Sequence, residues 1–135
     1  MPEQPIFTPP ANFLSFDEII GLVEGLQPHG IDTIRITGGE PLLRPGLPNL
    51  VERLKALGIR HVGLSTNGHL LTEAMARDFR VAGLDAFNIS LDTLDLAVCQ
   101  RINKVKVLGK VLAAIDIAVA TGIPTRTNTV VMRGE

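Results

Sequence analysis

Four times along the chain an amphipathic stretch closes on a glycine and a branched apolar residue, then gives way to a short run suited to a strand. The joints are Gly30-Ile31, Gly58-Ile59, Gly83-Leu84 and Gly122-Ile123. Glycine at a helix exit takes the left-handed cap conformation without a Cβ penalty, and the apolar residue after it packs back on the last turn. The first helix is predicted from Ser15 to about Gln27. Ser15 and Glu18 have capping-box spacing, Leu14 is placed to staple onto Ile19, and the apolar stripe is Phe16, Ile19, Ile20, Val23 and Leu26. A second helix carries Leu47, Leu50, Val51, Leu54 and Leu57. A third starts at the capping residue Thr72 and buries Met75, Phe79 and Ala82. A short extra helix is predicted over 95–103, and a last one on Leu108, Val111, Leu112, Ile115 and Val119.

Strands are predicted over 33–37, 61–66, 86–92 and 125–131. Strands separated by helices at this spacing require parallel pairing through right-handed crossovers, so the class is α/β. Side chains alternate faces along a strand. Ile34 and Ile36 oppose Arg35 and Thr37; Val62 and Leu64 oppose Gly63, Ser65 and Asn67; Phe87, Ile89 and Leu91 oppose Asn88, Ser90 and Asp92. The fourth strand is less clean. Arg126 and Asn128 share a face, but Thr125, Thr127 and Thr129 make the other face polar too. A parallel sheet covered by helices on both sides is apolar on both. One apolar and one polar face instead imply an open or partial βα barrel of about four parallel strands, its polar face lining a lumen.

Composition narrows the field. The 135 residues amount to one domain or part of one, and 45% hydrophobic with 20% charged residues describe a globular chain. Residues 1–14 are Pro-rich and read as an extended lead-in. A net charge of −1 supplies no global field for nucleic acid or anionic membrane, and the absence of Tyr and Trp argues against a base-stacking platform. One cysteine, Cys99, excludes a disulfide framework or a CxxC site within these residues and reads as an ordinary helix residue. His29, His61 and His69 share no metal-ligand spacing and are assigned to surface or loop. The start of the chain has no signal-peptide pattern, and the apolar stretch 111–120 is too short to span a bilayer, so a cytoplasmic protein is expected.

Parallel α/β proteins bind ligands at the carboxyl ends of their strands. Those ends read Thr37-Gly38-Gly39-Glu40-Pro41, Ser65-Thr66-Asn67-Gly68, Ser90-Leu91-Asp92 and Asn128. Adjacent glycines let backbone groups approach a ligand, Glu40 offers a carboxylate to an ammonium, and Arg35 and Arg126 offer cations to phosphates or a carboxylate. Each feature also has a plain structural reading. The glycine pairs make turns, Arg35 joins an ion pair, and Ser90 or, more readily, Asp92 caps the next segment. The convergence of four strand ends on one rim is what favours a site.

Ile34-Arg35-Ile36-Thr37-Gly38-Gly39-Glu40-Pro41-Leu42-Leu43-Arg44 resembles radical S-adenosylmethionine (SAM) enzymes, and more narrowly the GTP 3′,8-cyclase family of molybdenum cofactor biosynthesis. Leu14-Ser15-Phe16-Asp17-Glu18, Gly63-Leu64-Ser65-Thr66-Asn67-Gly68, Asn88-Ile89-Ser90-Leu91-Asp92-Thr93-Leu94-Asp95 and Asn128-Thr129-Val130-Val131-Met132-Arg133-Gly134 resemble further segments of that family, in order. The resemblance implies a partial radical SAM barrel over residues 1–135, with SAM and a cysteine-bound [4Fe–4S] cluster as cofactors. It implies cyclisation of GTP to 3′,8-cyclo-7,8-dihydro-GTP, and cyclic pyranopterin monophosphate synthase as the next enzyme. It places Gly38, Gly39, Glu40, Ser90 and Asn128 at SAM, and Arg35, Ser65 and Arg126 at GTP. Ser65 stands where the family usually has threonine, and Arg126 where relatives have lysine.

The family's cluster motif CxxxCxxC runs into Cys-Met-Pro-Glu or similar, whereas this chain opens Met1-Pro2-Glu3. It is therefore expected to start after the third cluster cysteine, and to lack the preceding strand, the SAM-adenine aromatic, the last barrel strands and the C-terminal region. Residues 101–106 also look shortened against the family. The expected consequences are a chain that does not cyclise GTP by itself and that self-associates through unpaired strand edges. The alternatives are a non-enzymatic remnant that binds SAM or nucleotide, another radical SAM enzyme such as a peptide-modifying maturase, or an ordinary phosphate-binding βα barrel. The paired arginines favour the cyclase family over a maturase.

Overall fold

The computed structural model describes residues 13–103 and 107–131. Most of the lead-in, residues 104–106 of the altered stretch, and Met132-Arg133-Gly134 lie outside the described residues. The elements run α1 (Phe16–Leu26), β1 (Thr33–Ile36), α2 (Leu47–Ala56), β2 (His61–Thr66), α3 (Glu73–Ala82), β3 (Ala86–Ser90), α4 (Leu96–Asn103), α5 (Leu108–Ala120) and β4 (Thr125–Asn128). Short 3₁₀ turns at Gln27–His29 and Pro41–Leu43, not foreseen from the sequence, follow α1 and precede α2.

The four strands form one parallel sheet in the order β1-β2-β3-β4, which is also their order in the chain. Strands β1, β3 and β4 are shorter than predicted. Thr37, Leu91-Asp92 and 129–131 lie beyond the strands, at the rim where the chain turns away.

The helix starts follow the capping chemistry. Ser15 Oγ accepts from the Glu18 N–H while the Glu18 carboxylate accepts from the Ser15 N–H, and Thr72 Oγ1 accepts from the Met75 N–H. All four joint glycines have positive φ. Ile59, Leu84 and Ile123 pack into the core behind them, whereas Ile31 stays exposed.

One apolar cluster joins the strand residues Val62, Leu64, Phe87 and Ile89 to Val23, Leu50, Leu54, Phe79, Val111 and Ala118 of the helices, with Ile34 and Ile36 packed against it. Phe79 and Phe87 are fully buried and meet edge to face, with centroids 5.8 Å apart. Helix α5 departs from the predicted stripe. Leu108 and Val111 are buried, but Leu112 and Val119 are exposed, and Ala114 and Ala118 take the inner positions. The helix is apolar on nearly every side, so spacing alone does not say which side turns inward. Leu26 of α1 is likewise exposed.

Lys55 of α2 and Asp85, just before β3, tie the helix layer to the foot of the sheet. The Asp85 carboxylate accepts from Lys55 Nζ at 2.9 Å and from the Val62 N–H at 2.7 Å. Burial pushes the Asp85 carboxyl upward, but the Val62 and Lys55 bonds outweigh it, so its pKa lies below the ordinary 3.8. A depressed folded value means the stabilisation is present above the unfolded value and disappears as pH falls through the folded one. Asp85→Asn is therefore expected to be less stable than the parent at pH 7, with the gap closing below about pH 4. Thermal melts of both proteins from pH 7 to pH 2 check this; a gap of constant size would refute it.

Candidate functional site at the strand ends

The register shows which side chains share a face. Arg35, Gly63 and Ala86 are level across β1, β2 and β3; one step toward the carboxyl ends, Ser65, Asn88 and Arg126 are level across β2, β3 and β4; Ser90 pairs with Asn128 one step further. These residues occupy the face opposite the core side chains Val62, Leu64, Phe87 and Ile89, which is the face expected to be polar. Arg35, Ser90, Arg126 and Asn128 are exposed and Ser65 is half-buried. Among the described residues, the side chains of Arg35 and Arg126 have no ion pair or hydrogen bond, so the ion-pair reading of Arg35 is not realised. Two uncompensated guanidinium groups on one open face suit an anion.

The rim is fastened in pairs. After β1 the chain passes through Gly38 at φ 148°, a conformation side chains resist, and neither Gly38 nor Gly39 has an atom within 4 Å of where a Cβ would stand. Glu40 follows, and its carboxylate faces the chain. Oε1 accepts from Thr66 Oγ1 at 2.6 Å and from the Leu42 N–H at 3.1 Å, and Oε2 accepts from the Asn67 N–H at 2.8 Å. Thr66 Oγ1 in turn accepts from the Gly68 N–H. Both Glu40 oxygens thus join the loop after β1 to the loop after β2, whereas the sequence suggested a carboxylate facing a ligand ammonium.

Asp92 corrects another expectation. Asp95, not Asp92, caps α4, accepting from the Ala97 and Val98 N–H groups. Asp92 accepts from the Val130 N–H, and Thr129 Oγ1 donates to the Leu91 carbonyl, so these residues join the loops after β3 and β4. Sequence reasoning missed both clamps because their partners lie 26 to 38 residues away.

Between the two clamps lies a cavity of about 40 Å³ whose lining includes Asn67, His69, Ser90, Asp92 and Thr93, with Cys99 among its apolar residues. His69 is half-buried there, in the loop between β2 and α3. Burial pushes its pKa below 6.5; Glu40 opposes the shift and Lys110 adds to it, leaving a neutral imidazole at pH 7. Cys99 is buried on α4 against Val107 and Leu108. A larger hollow of about 580 Å³ lies in the helix layer between α3 and α5, lined in part by Arg77, Arg80, Val81 and Ile117. It is remote from the strand ends, and Arg77 there is paired with Glu73. Size alone does not outweigh the converging polar groups at the rim.

Among the described residues no group of His, Cys, Asp and Glu is placed to hold a metal ion, and no helix is long and apolar enough to cross a membrane. A [4Fe–4S] cluster of the radical SAM type needs three thiolates, and the 135 residues contain one cysteine, buried within α4. The residues present do not fit that cluster. Open backbone at Gly38 and Gly39 and the exposed side chains of Ser90 and Asn128 lie at the carboxyl ends of β1, β3 and β4.

Residues 3–135 match the Radical SAM superfamily. The chain is 44% identical to a GTP 3′,8-cyclase of Thermodesulfovibrio yellowstonii over 138 residues, covering 99% of this chain and 42% of that protein. It is 44% identical to molybdenum cofactor biosynthesis protein 1 of Mus musculus, covering 99% of this chain and 21% of that one. A probable GTP 3′,8-cyclase of Sulfolobus acidocaldarius is 41% identical, covering 90% and 39%. The chain thus spans less than half the length of these relatives. A domain of pyruvate-formate lyase-activating enzyme from Bacteroides vulgatus superposes with a TM-score of 0.64 at 22% identity, over 75% of this chain and 61% of that one, so the two share a fold.

Proposed function

The chain belongs to the radical SAM superfamily, and from that premise we propose that it is the portion of a GTP 3′,8-cyclase barrel that seats SAM and GTP. The observation that carries the reading is the shared face of Arg35, Ser65, Ser90 and Arg126, with both guanidinium groups uncompensated. In this assignment Gly38 and Gly39 present backbone to SAM, Glu40 holds that edge in place, and Ser90 and Asn128 add side-chain hydrogen bonds. Arg35 and Arg126 take the triphosphate, and Ser65 donates a hydroxyl beside it.

The family reaction, SAM-dependent cyclisation of GTP to 3′,8-cyclo-7,8-dihydro-GTP, belongs to the whole enzyme, because the cluster thiolates are not among these residues. Residues 1–135 then form part of one barrel domain in a cytoplasmic protein, whose product passes to cyclic pyranopterin monophosphate synthase. The relatives' names and the ordered motifs support this choice within the superfamily.

Titration of GTP into the chain tests it. Arg35→Gln and Arg126→Gln are each expected to weaken GTP binding about tenfold or more, and added salt to weaken the parent's binding. Unchanged affinity in both variants, or no GTP binding by the parent, refutes the assignment.

A further inference from the structure

Asn88 is a polar side chain placed where the fold gives it nothing to bind. It lies in the middle of β3, and only 8% of its surface is exposed. An asparagine amide carries two donors and an acceptor oxygen, yet among the described residues none of these has a hydrogen-bond partner. Among the described residues the other buried polar one, Thr66, is engaged by both Glu40 and Gly68.

No described side-chain nitrogen or oxygen is both sealed and unpaired, so the Asn88 amide retains a small opening. The neighbours show where it leads. Gly63 and Ala86, one level below Ser65 and Asn88 on the same face, put little or no side chain beside the amide. A Cβ on Gly63 would stand 3.9 Å from Asn88 Nδ2. Arg126 adjoins Asn88 on β4, and Arg35 is level with Gly63 on β1. Burying an unpaired amide costs stability, and a buried polar group persists where something outside the fold completes it.

We infer that Asn88 is a further ligand-contacting residue of this face, its amide hydrogen-bonding a ribose hydroxyl of a bound nucleoside. The arginines take the charged end of an anionic ligand, so the group against Asn88 is neutral and both donates and accepts, as a hydroxyl does. The inference rests on the nucleotide-seating reading above. GTP and SAM both carry ribose hydroxyls, and the test separates them.

GTP and SAM are titrated separately, by calorimetry, into the parent chain, Asn88→Leu and Asn88→Ala, and each protein is melted without ligand. The expected result is an affinity about tenfold lower or worse in both variants for one of the two nucleosides, which identifies the source of the hydroxyl. The ligand-free melting temperature of Asn88→Leu should equal or exceed the parent's, because the amide supports nothing within the fold. Parent-like affinity for both nucleosides in both variants overturns the inference alone, as does a ligand-free melting temperature lowered by several degrees in both. A parent that binds neither nucleoside removes the seating assignment itself and this inference with it.

Discussion

Phe87→Ala is expected to lower the free energy of unfolding by about 3–5 kcal/mol, a large share of the roughly 5–15 kcal/mol that holds a typical domain folded. Phe87 lies in a central strand, is fully buried, and meets Phe79 of α3 edge to face. Truncation removes the transfer free energy of the ring and leaves a cavity between the sheet and α3. The neighbouring residues Ile89 and Leu64 are themselves fully buried and have little room to collapse into it. Urea titration checks this: the midpoint should fall sharply while the slope stays constant. Phe87→Leu should lose less, because most of the volume remains. A loss below about 1 kcal/mol in the alanine variant would show that the sheet and helix layer are not packed as described.

Glu40→Ala is expected to cost about 2 kcal/mol or more of stability and to abolish measurable SAM binding. Its carboxylate accepts from Thr66 Oγ1, the Asn67 N–H and the Leu42 N–H. Without it, the loop after β1 loses its connection to the loop after β2, and the Gly38-Gly39 edge is no longer held. Glu40→Gln separates charge from shape. The amide keeps one acceptor oxygen but turns an NH₂ group toward donors, so an intermediate loss follows. SAM titration and urea unfolding on both variants provide the measurement. If Glu40→Gln behaves like the parent in both, the carboxylate does not act as the clamp described.

Much of this architecture follows from local rules that short stretches of sequence carry in full. The Ser15 and Glu18 capping box, the positive-φ glycines at the joints and the parallel β-α-β order all depend on nearby residues. The shared polar face also follows from period-two alternation combined with the register, and it placed Arg35, Ser65, Ser90 and Arg126 correctly relative to one another. The failures have physical causes. The inner side of α5 could not be read because an apolar stripe has no contrast on a helix that is apolar nearly all round. Asp92 was misread, and the bonds Glu40 makes were missed, because a carboxylate's choice between a nearby N–H and a distant one is settled only when the strand ends meet. Asn88 was assigned to the right face but given no role, since its burial and lack of a partner exist only once β2 and β4 flank it.

The strands sit side by side in the sequence in which they are synthesised. Each new strand can therefore dock on the one made just before it, with one crossover of one or two helices to close and no gap held open for a late arrival. Pairing with the preceding strand closes a smaller loop than pairing with a more distant one would. It also lets a chain emerging from the ribosome cover its greasy side step by step, long before synthesis is finished.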